Sequence, residues 1–211
     1  PGYNPENRKI IEDNARALNI PINILESDIF KSVYNVKKSP CYLCARMRRG
    51  YLYKFAQELG CNKVALGHHL DDAVETFYMN LWREGRIGCF EPVTYLSRTG
   101  ITQIRPMLYI GEQAIAHFAG RYELPVVHNV CPADKHTKRQ EVKVLLRRLM
   151  RDNPNIENSI FRSIHAVALD TMPGYKTEGQ EHSFLERFDR VEAELQKELK
   201  EKQKQEADKT K

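Results

Sequence analysis

The 211-residue chain has no run of about 18 apolar residues, the length a membrane-spanning helix needs. It shows no signal peptide and no internal repeat. Its expected place is therefore the cytoplasm, with no membrane partner. Cysteine is sparse and odd in number, at five. In a reducing compartment an odd set with one close pair points to metal binding or redox work rather than to a disulfide framework. The chain also lacks an initiator methionine, beginning Pro1-Gly2.

What is present is an ordinary globular composition, 41% apolar and 29% charged. The net charge of +5 is unevenly spread. Between Asp134 and Arg151 there are seven basic residues (Lys135, Lys138, Arg139, Lys143, Arg147, Arg148, Arg151) against two acids, Asp134 and Glu141. That one segment equals the excess of the whole chain. Such a stripe suits RNA phosphates, and it equally suits a solvated helix face.

Hydrophobic spacing alternates between strand and helix. Asn4-Pro5-Glu6 opens a helix that Ile10, Ile11, Ala15 and Leu18 continue to Asn19. Pro21–Leu25 reads as a short buried strand. Pro40 introduces a helix over Cys41–Leu59, and Lys63–Leu66 is a second strand, followed by a helix over His68–Arg83. Thr102–Ile104 and Pro125–Val127 read as further strands around a helix at Glu112–Tyr122. This order predicts an α/β fold with a doubly wound parallel sheet and a helical carboxyl-terminal extension. The expected divisions are residues 1–133 for the α/β domain, 134–172 for a basic helical region, and 173–211 for a charged helix fraying into a disordered tail. Beyond Lys135 helix breaks are expected at Asn153-Pro154 and Pro173-Gly174.

The string GHHLDDAVET, Gly67 to Thr76, follows a strand directly, where open α/β sheets build ligand sites. Gly67 permits close backbone approach. His68, Asp72 and Glu75 share one helical face, and His69, Asp72 and Thr76 a neighbouring one. Acids in a first turn also cap orphan N–H groups, and for Asp71 alone capping is the simpler explanation. Two histidines with two acids exceed what capping requires.

Cys41 and Cys44 sit at the expected helix start, where the dipole favours thiolate. With Cys131 they allow three chemistries: a thioredoxin-like dithiol, an iron–sulfur cluster on the three thiolates, or a closed zinc site completed by His128. Residue types alone favour zinc. Cys61 reads as a packing residue, and Cys89 falls in a loop without an evident partner.

The string PCYLCARMRRGYLYKFAQELGCNKVALGHHLDDAVET resembles the tRNA 2-thiocytidine synthetases of the PP-loop ATP pyrophosphatase superfamily. The likeness covers roughly residues 1–168. It implies an adenine-nucleotide α-hydrolase-like sheet, ATP with Mg²⁺, a [4Fe-4S] cluster, and ATP-driven 2-thiocytidine formation in the tRNA anticodon loop. It further implies a sulfur-donor protein such as a cysteine desulfurase, and a homodimer. By this resemblance Cys41, Cys44 and Cys131 would ligate the cluster, while Gly67, His68, His69 and Asp72 would line the nucleotide. Asp71 and Asp72 would act in catalysis. Arg48, Arg49, Lys135, Lys138, Arg139, Lys143 and Arg147 would meet tRNA. The resemblance tips the metal from zinc to iron.

The family's SGGxDS loop does not occur in the sequence. The chain therefore reads as lacking two strands, that loop and a helix, and as unable to turn over ATP by itself. Two other functions stay open at this point: a zinc-stabilised tRNA-binding module without catalysis, and a PP-loop ligase of the lysidine type.

Overall fold

The computed structural model describes residues 5–34, 36, 40–127, 131 and 137–209. The chain divides into two compact units, Pro1–Ile164 and His165–Lys211. Among the described residues no helix is long and apolar enough to cross a membrane.

In the first unit α1 (Pro5–Ala17), α2 (Ile29–Tyr34) and α3 (Pro40–Glu58) precede β1 (Lys63–Ala65) and α4 (Leu70–Met79). A π-helical turn, Asn80–Glu84, extends α4. Then come β2 (Val93–Leu96), β3 (Ile101–Ile104), α5 (Glu112–Arg121), α6 (Lys138–Asp152) and α7 (Ile156–His165). Helix ends follow local chemistry. Asn19, Gly60 and Glu123 adopt left-handed backbone just past α1, α3 and α5. Each sets up paired return bonds to the helix, as from Cys61 N to Ala56 O (2.8 Å) and from Gly60 N to Gln57 O (2.9 Å). Thr137 starts α6, its hydroxyl accepting from Gln140 N at 3.2 Å.

The sheet has the order β1-β3-β2. β1 and β3 are parallel, with Val64 opposite Gln103. β2 pairs antiparallel to β3, with Thr94 opposite Gln103. The parallel pair is the expected α/β element, and β2 makes the sheet mixed. The tight return through Gly100, at φ 66°, explains why: four residues suffice to reverse a strand, whereas a parallel neighbour needs a long crossover.

Two expected strands do not form. Residues 21–25 carry no regular secondary structure, and Ile22, Ile24 and Leu25 are all exposed. Residues 125–127 are likewise without strand. A strand exists only through ladder bonds to a neighbour, and among the described residues neither segment has one.

The core lies in two clusters. Ala56, Val64 and Ile101, with Tyr53 and Leu66 against them, seat α3 on the sheet. Leu70 and Val74 of α4 pack with Val142 and Leu146 of α6, flanked by Tyr78, Met79, Ile160 and Phe161. The basic helix is thus anchored by its apolar stripe to the helix carrying the GHHLDD residues.

The second unit contains a short 3₁₀ turn (Leu169–Thr171), a hairpin of β4 (Gly174–Thr177) and β5 (Gln180–Ser183), and α8 (Phe184–Lys209). The hairpin replaces the expected simple helix break. Glu178 and Gly179 both take positive φ, 50° and 80°, as the two-residue turn of a hairpin requires. A Cβ on Gly174 would meet His182 O at 2.7 Å, so the strands approach there only because the residue is glycine.

Candidate functional site

The carboxyl ends of β1 and β3 lie side by side, Leu66 N donating to Ile104 O at 2.9 Å. From these ends the chain enters two helices, α4 and α5. Gly67 is exposed, and a methyl there would meet only Met107 Cε at an ordinary 3.5 Å. Packing therefore does not demand glycine, leaving open ground at the strand end.

Asp71 and Asp72 part ways at the start of α4. Asp71 Oδ2 accepts from Glu112 N at 2.7 Å, so it caps the amino end of α5 rather than of its own helix. Asp72 Oδ2 accepts from His69 N at 3.1 Å and caps α4. His69 lies between the two carboxylates, with Nδ1 3.4 Å from Asp71 and Nε2 3.3 Å from Asp72. Two helix amino termini, which attract anions, thus meet at one strand end.

His68 points elsewhere. Its ring lies 5.0 Å from that of Phe90, and its Nδ1 is buried without a hydrogen-bond partner. Burial chiefly holds its pKa below the ordinary imidazole value, against the opposing pull of Asp72. On the same Phe90 ring rests the Arg105 guanidinium, 4.6 Å from the centroid. Arg105 Nη1 donates to Glu91 O, and its Nε is buried and unpartnered. Sequence reading missed Arg105. The one available signal is its place a single residue beyond β3, level with Leu66 beside Gly67 at the end of β1.

Among the described residues Glu75 is the most buried acid, 1% exposed. Arg139 of α6 reaches across to it at 2.8 Å, to Asp72 Oδ1 at 3.0 Å and to Thr76 Oγ1 at 3.2 Å. Lys143 bonds Glu112 at 3.0 Å and stands 3.7 Å from Glu75 Oε1. Expected to face RNA phosphates, Arg139 and Lys143 instead pair with carboxylates of their own chain. The spacing explains it: positions 139, 142, 143 and 146 share one helical face, and Val142 and Leu146 are the buried ones. Even so, burial outweighs both cations and raises the Glu75 pKa. Consistently, Oε1 lacks a hydrogen-bond partner.

The remaining basic residues face outward. Lys138 pairs with Glu141 at 2.7 Å, and Arg147, Arg148 and Arg151 are exposed. Arg48 and Arg49 are exposed on α3. Lys135 lies outside the described residues.

Cys41 and Cys44 stand one turn apart on α3, exposed and partly buried respectively. Cys131 is partly buried. The donor set suits a thiophilic centre: residues i and i+3 of a helix lie about 5–6 Å apart and can chelate together. Among the described residues, however, no three or more His, Cys, Asp or Glu side chains are gathered as a metal site. His128, the fourth ligand of the zinc alternative, lies outside the described residues. Cys89 has a partner after all, its thiol donating to Ala73 O at 3.3 Å, and burial pushes its pKa up. Cys61, expected to pack, is exposed just past the end of α3, where the return bonds around Gly60 turn the chain outward.

A sheet whose strand ends open between two helix starts is where α/β folds build ligand sites, and the family comparison agrees with that fold. Residues 4–150 match the ATP_bind_3 family model, a PP-loop domain. The chain belongs to the PP-loop domain family. It is 36% identical over 171 residues to a tRNA-cytidine(32) 2-sulfurtransferase of Alkalilimnicola ehrlichii, covering 79% of this chain and 54% of that one. It is 40% identical over 142 residues to the enzyme of the same name from Geobacter metallireducens, covering 66% and 55%. The chain thus spans about half the length of these curated relatives. In fold it is similar to the U34-tRNA thiolase NcsA from Methanococcus maripaludis, solved with its [4Fe-4S] cluster. The TM-score is 0.64 at 23% identity, covering 79% of this chain and 58% of that one.

Proposed function

We propose that this chain serves ATP-dependent tRNA thiolation, as part of a tRNA-cytidine 2-sulfurtransferase that forms 2-thiocytidine in the anticodon loop. The observation that carries the reading is one compact unit holding both a strand-end acid site and a helical thiol pair. The 35–40% identity to 2-sulfurtransferases supports the choice of reaction.

Gly67, His68, His69 and Asp72 line the nucleotide side in this proposal. Asp71 and Asp72 are the catalytic carboxylates, offering oxygen ligands to Mg²⁺ on ATP. Asp72 is held for that work by His69 N and Arg139. His68, its pKa lowered chiefly by burial, lines this side from its place against Phe90. Cys41, Cys44 and Cys131 hold the [4Fe-4S] cluster, which when bound supplies an iron to which sulfur can attach. Lys138 and Arg147, with Arg48 and Arg49, take the tRNA backbone, and Lys135 belongs to the same basic run. A cysteine desulfurase or a similar protein supplies sulfur, the working form is a homodimer, and the compartment is the cytoplasm.

The test is metal and acid-labile sulfide content of the chain purified without oxygen. About four iron and four sulfide per chain, lost in Cys131→Ser, are expected of a cluster on three thiolates. One zinc without sulfide would replace the proposal with the zinc-stabilised tRNA-binding module.

A further inference from the structure

The second unit holds a cleft of about 370 Å³ between the 3₁₀ turn, the β4–β5 hairpin and the first two turns of α8. That is the size of a small-molecule site, and all of its walls lie beyond the residues 4–150 matched by the family model. Arg187 and Arg190 line it from α8, one turn apart, and Asp170 lines it from the 3₁₀ turn. None of these three side chains makes an ion pair among the described residues. Two guanidiniums at this helical spacing repel each other, so folding alone gives no reason to set them on one cleft.

The hairpin adds a different chemistry. Tyr175 and His182 are partners across β4 and β5, their rings stacked with centroids 4.8 Å apart at 22°. Tyr175 lines the cleft and is 38% exposed, so part of its ring surface is open. Glu186, the other acid of the cleft, is already engaged: its carboxylate stands 3.5 Å from His182 Nδ1 and accepts from Ser183 N at 3.4 Å. With Nδ1 turned to that acid, Nε2 is the ring's acceptor, and it is buried without a hydrogen-bond partner.

We propose that this cleft binds a nucleoside 5′-monophosphate unit, in a second nucleotide site built from none of the residues at the end of β1. Each part of such a ligand has a counterpart. The phosphate takes the two guanidiniums, whose planar forks match its oxygens. The base stacks on Tyr175, as bases do on aromatic platforms. Ribose hydroxyls donate to Asp170, and a hydroxyl or amino group completes His182 Nε2. A bare phosphate would use the arginines only and be repelled by Asp170, while an apolar ligand would leave three charges desolvated and unpaired. A free mononucleotide and an unpaired residue of an RNA strand present this same unit, and the test separates them.

The test is calorimetric titration of the full chain with cytidine 5′-monophosphate, with a short single-stranded oligocytidylate and with inorganic phosphate, circular dichroism confirming that each variant is folded. Arg187→Gln combined with Arg190→Gln should weaken nucleotide binding about tenfold. Tyr175→Leu should weaken it about fivefold, and phosphate should bind less tightly than the nucleotide. Binding of the mononucleotide shows that the free unit suffices, whereas binding of the oligonucleotide alone places the site on an RNA strand. No binding of either at millimolar concentration, or binding that both variants leave unchanged, would overturn the site. Phosphate binding as tightly as the nucleotide would overturn the nucleoside part of it. None of these outcomes bears on iron or sulfide content, so thiolation stands or falls separately.

Discussion

The two sides of α6 carry the same residue types in different surroundings. On the inner face Arg139 and Lys143 lie beside Val142 and Leu146 and are tied to Asp72, Glu75 and Glu112. On the outer face Arg147, Arg148 and Arg151 stand exposed, with no ion pair among the described residues. A positive charge near buried carboxylates is structural, and the same charge where the side chain meets solvent is available to a polyanion. Composition counts both alike. The difference teaches that a basic stripe should be divided by the helix's apolar seam before any of it is assigned to RNA.

The largest break in this comparison comes from the seam itself. Leu146→Ala removes a buried side chain from the α4–α6 cluster and should cost about 2–5 kcal/mol in urea unfolding. Arg139→Met comes next. It strips Asp72 and Glu75 of their shared cation, and because Arg139 is itself 39% exposed a loss of about 1–3 kcal/mol is expected, below that of a fully buried pair. If stability does not move, the inner face is as dispensable as the outer one.

The outer face should respond the other way. Arg147→Glu with Arg148→Glu should leave the unfolding midpoint unchanged and weaken tRNA binding about tenfold at low salt, with a shallower salt dependence. An unchanged affinity would make that face a solvated surface only. The smallest effect concerns pH. Glu75 has a folded pKa above its unfolded value, so the folded state binds the proton more tightly. Stability should therefore fall as pH rises from about 4.5 through the raised value. Glu75→Gln should flatten that slope. His68 works at the next window: its folded pKa is depressed, so stability should drop as pH falls below about 6.5, and His68→Phe should remove the drop.

Much of the fold could be read directly from residue order. The helices over α1, α3, α4 and α5 stand within a few residues of where apolar spacing and caps put them, because those signals act within a turn or two. The β1–Gly67–α4 junction was equally readable, and so was the capping role of Asp71, although the helix it caps is α5 and not its own. The β4–β5 hairpin escaped notice because its strands are polar on both faces, leaving only the turn at Glu178-Gly179 as a sign. Arg105 escaped because its partners, Phe90 and Glu91, belong to a loop with no periodic pattern.

Sequence by itself determined that α1, α3, α4 and α5 are helical, though not α2, where the acids and histidines gather after β1, and that a thiol pair stands at the head of α3. These depend on neighbours three or four residues away. Only the tertiary structure decided that β2 turns the sheet mixed, that residues 21–25 form no strand, and that Arg139 and Lys143 look inward. Strand partners decide the first two, β2 finding its partner through a four-residue turn and residues 21–25 finding none, while the third rests on contacts tens of residues away, where buried carboxylates select among conformations that local sequence leaves nearly equal in energy.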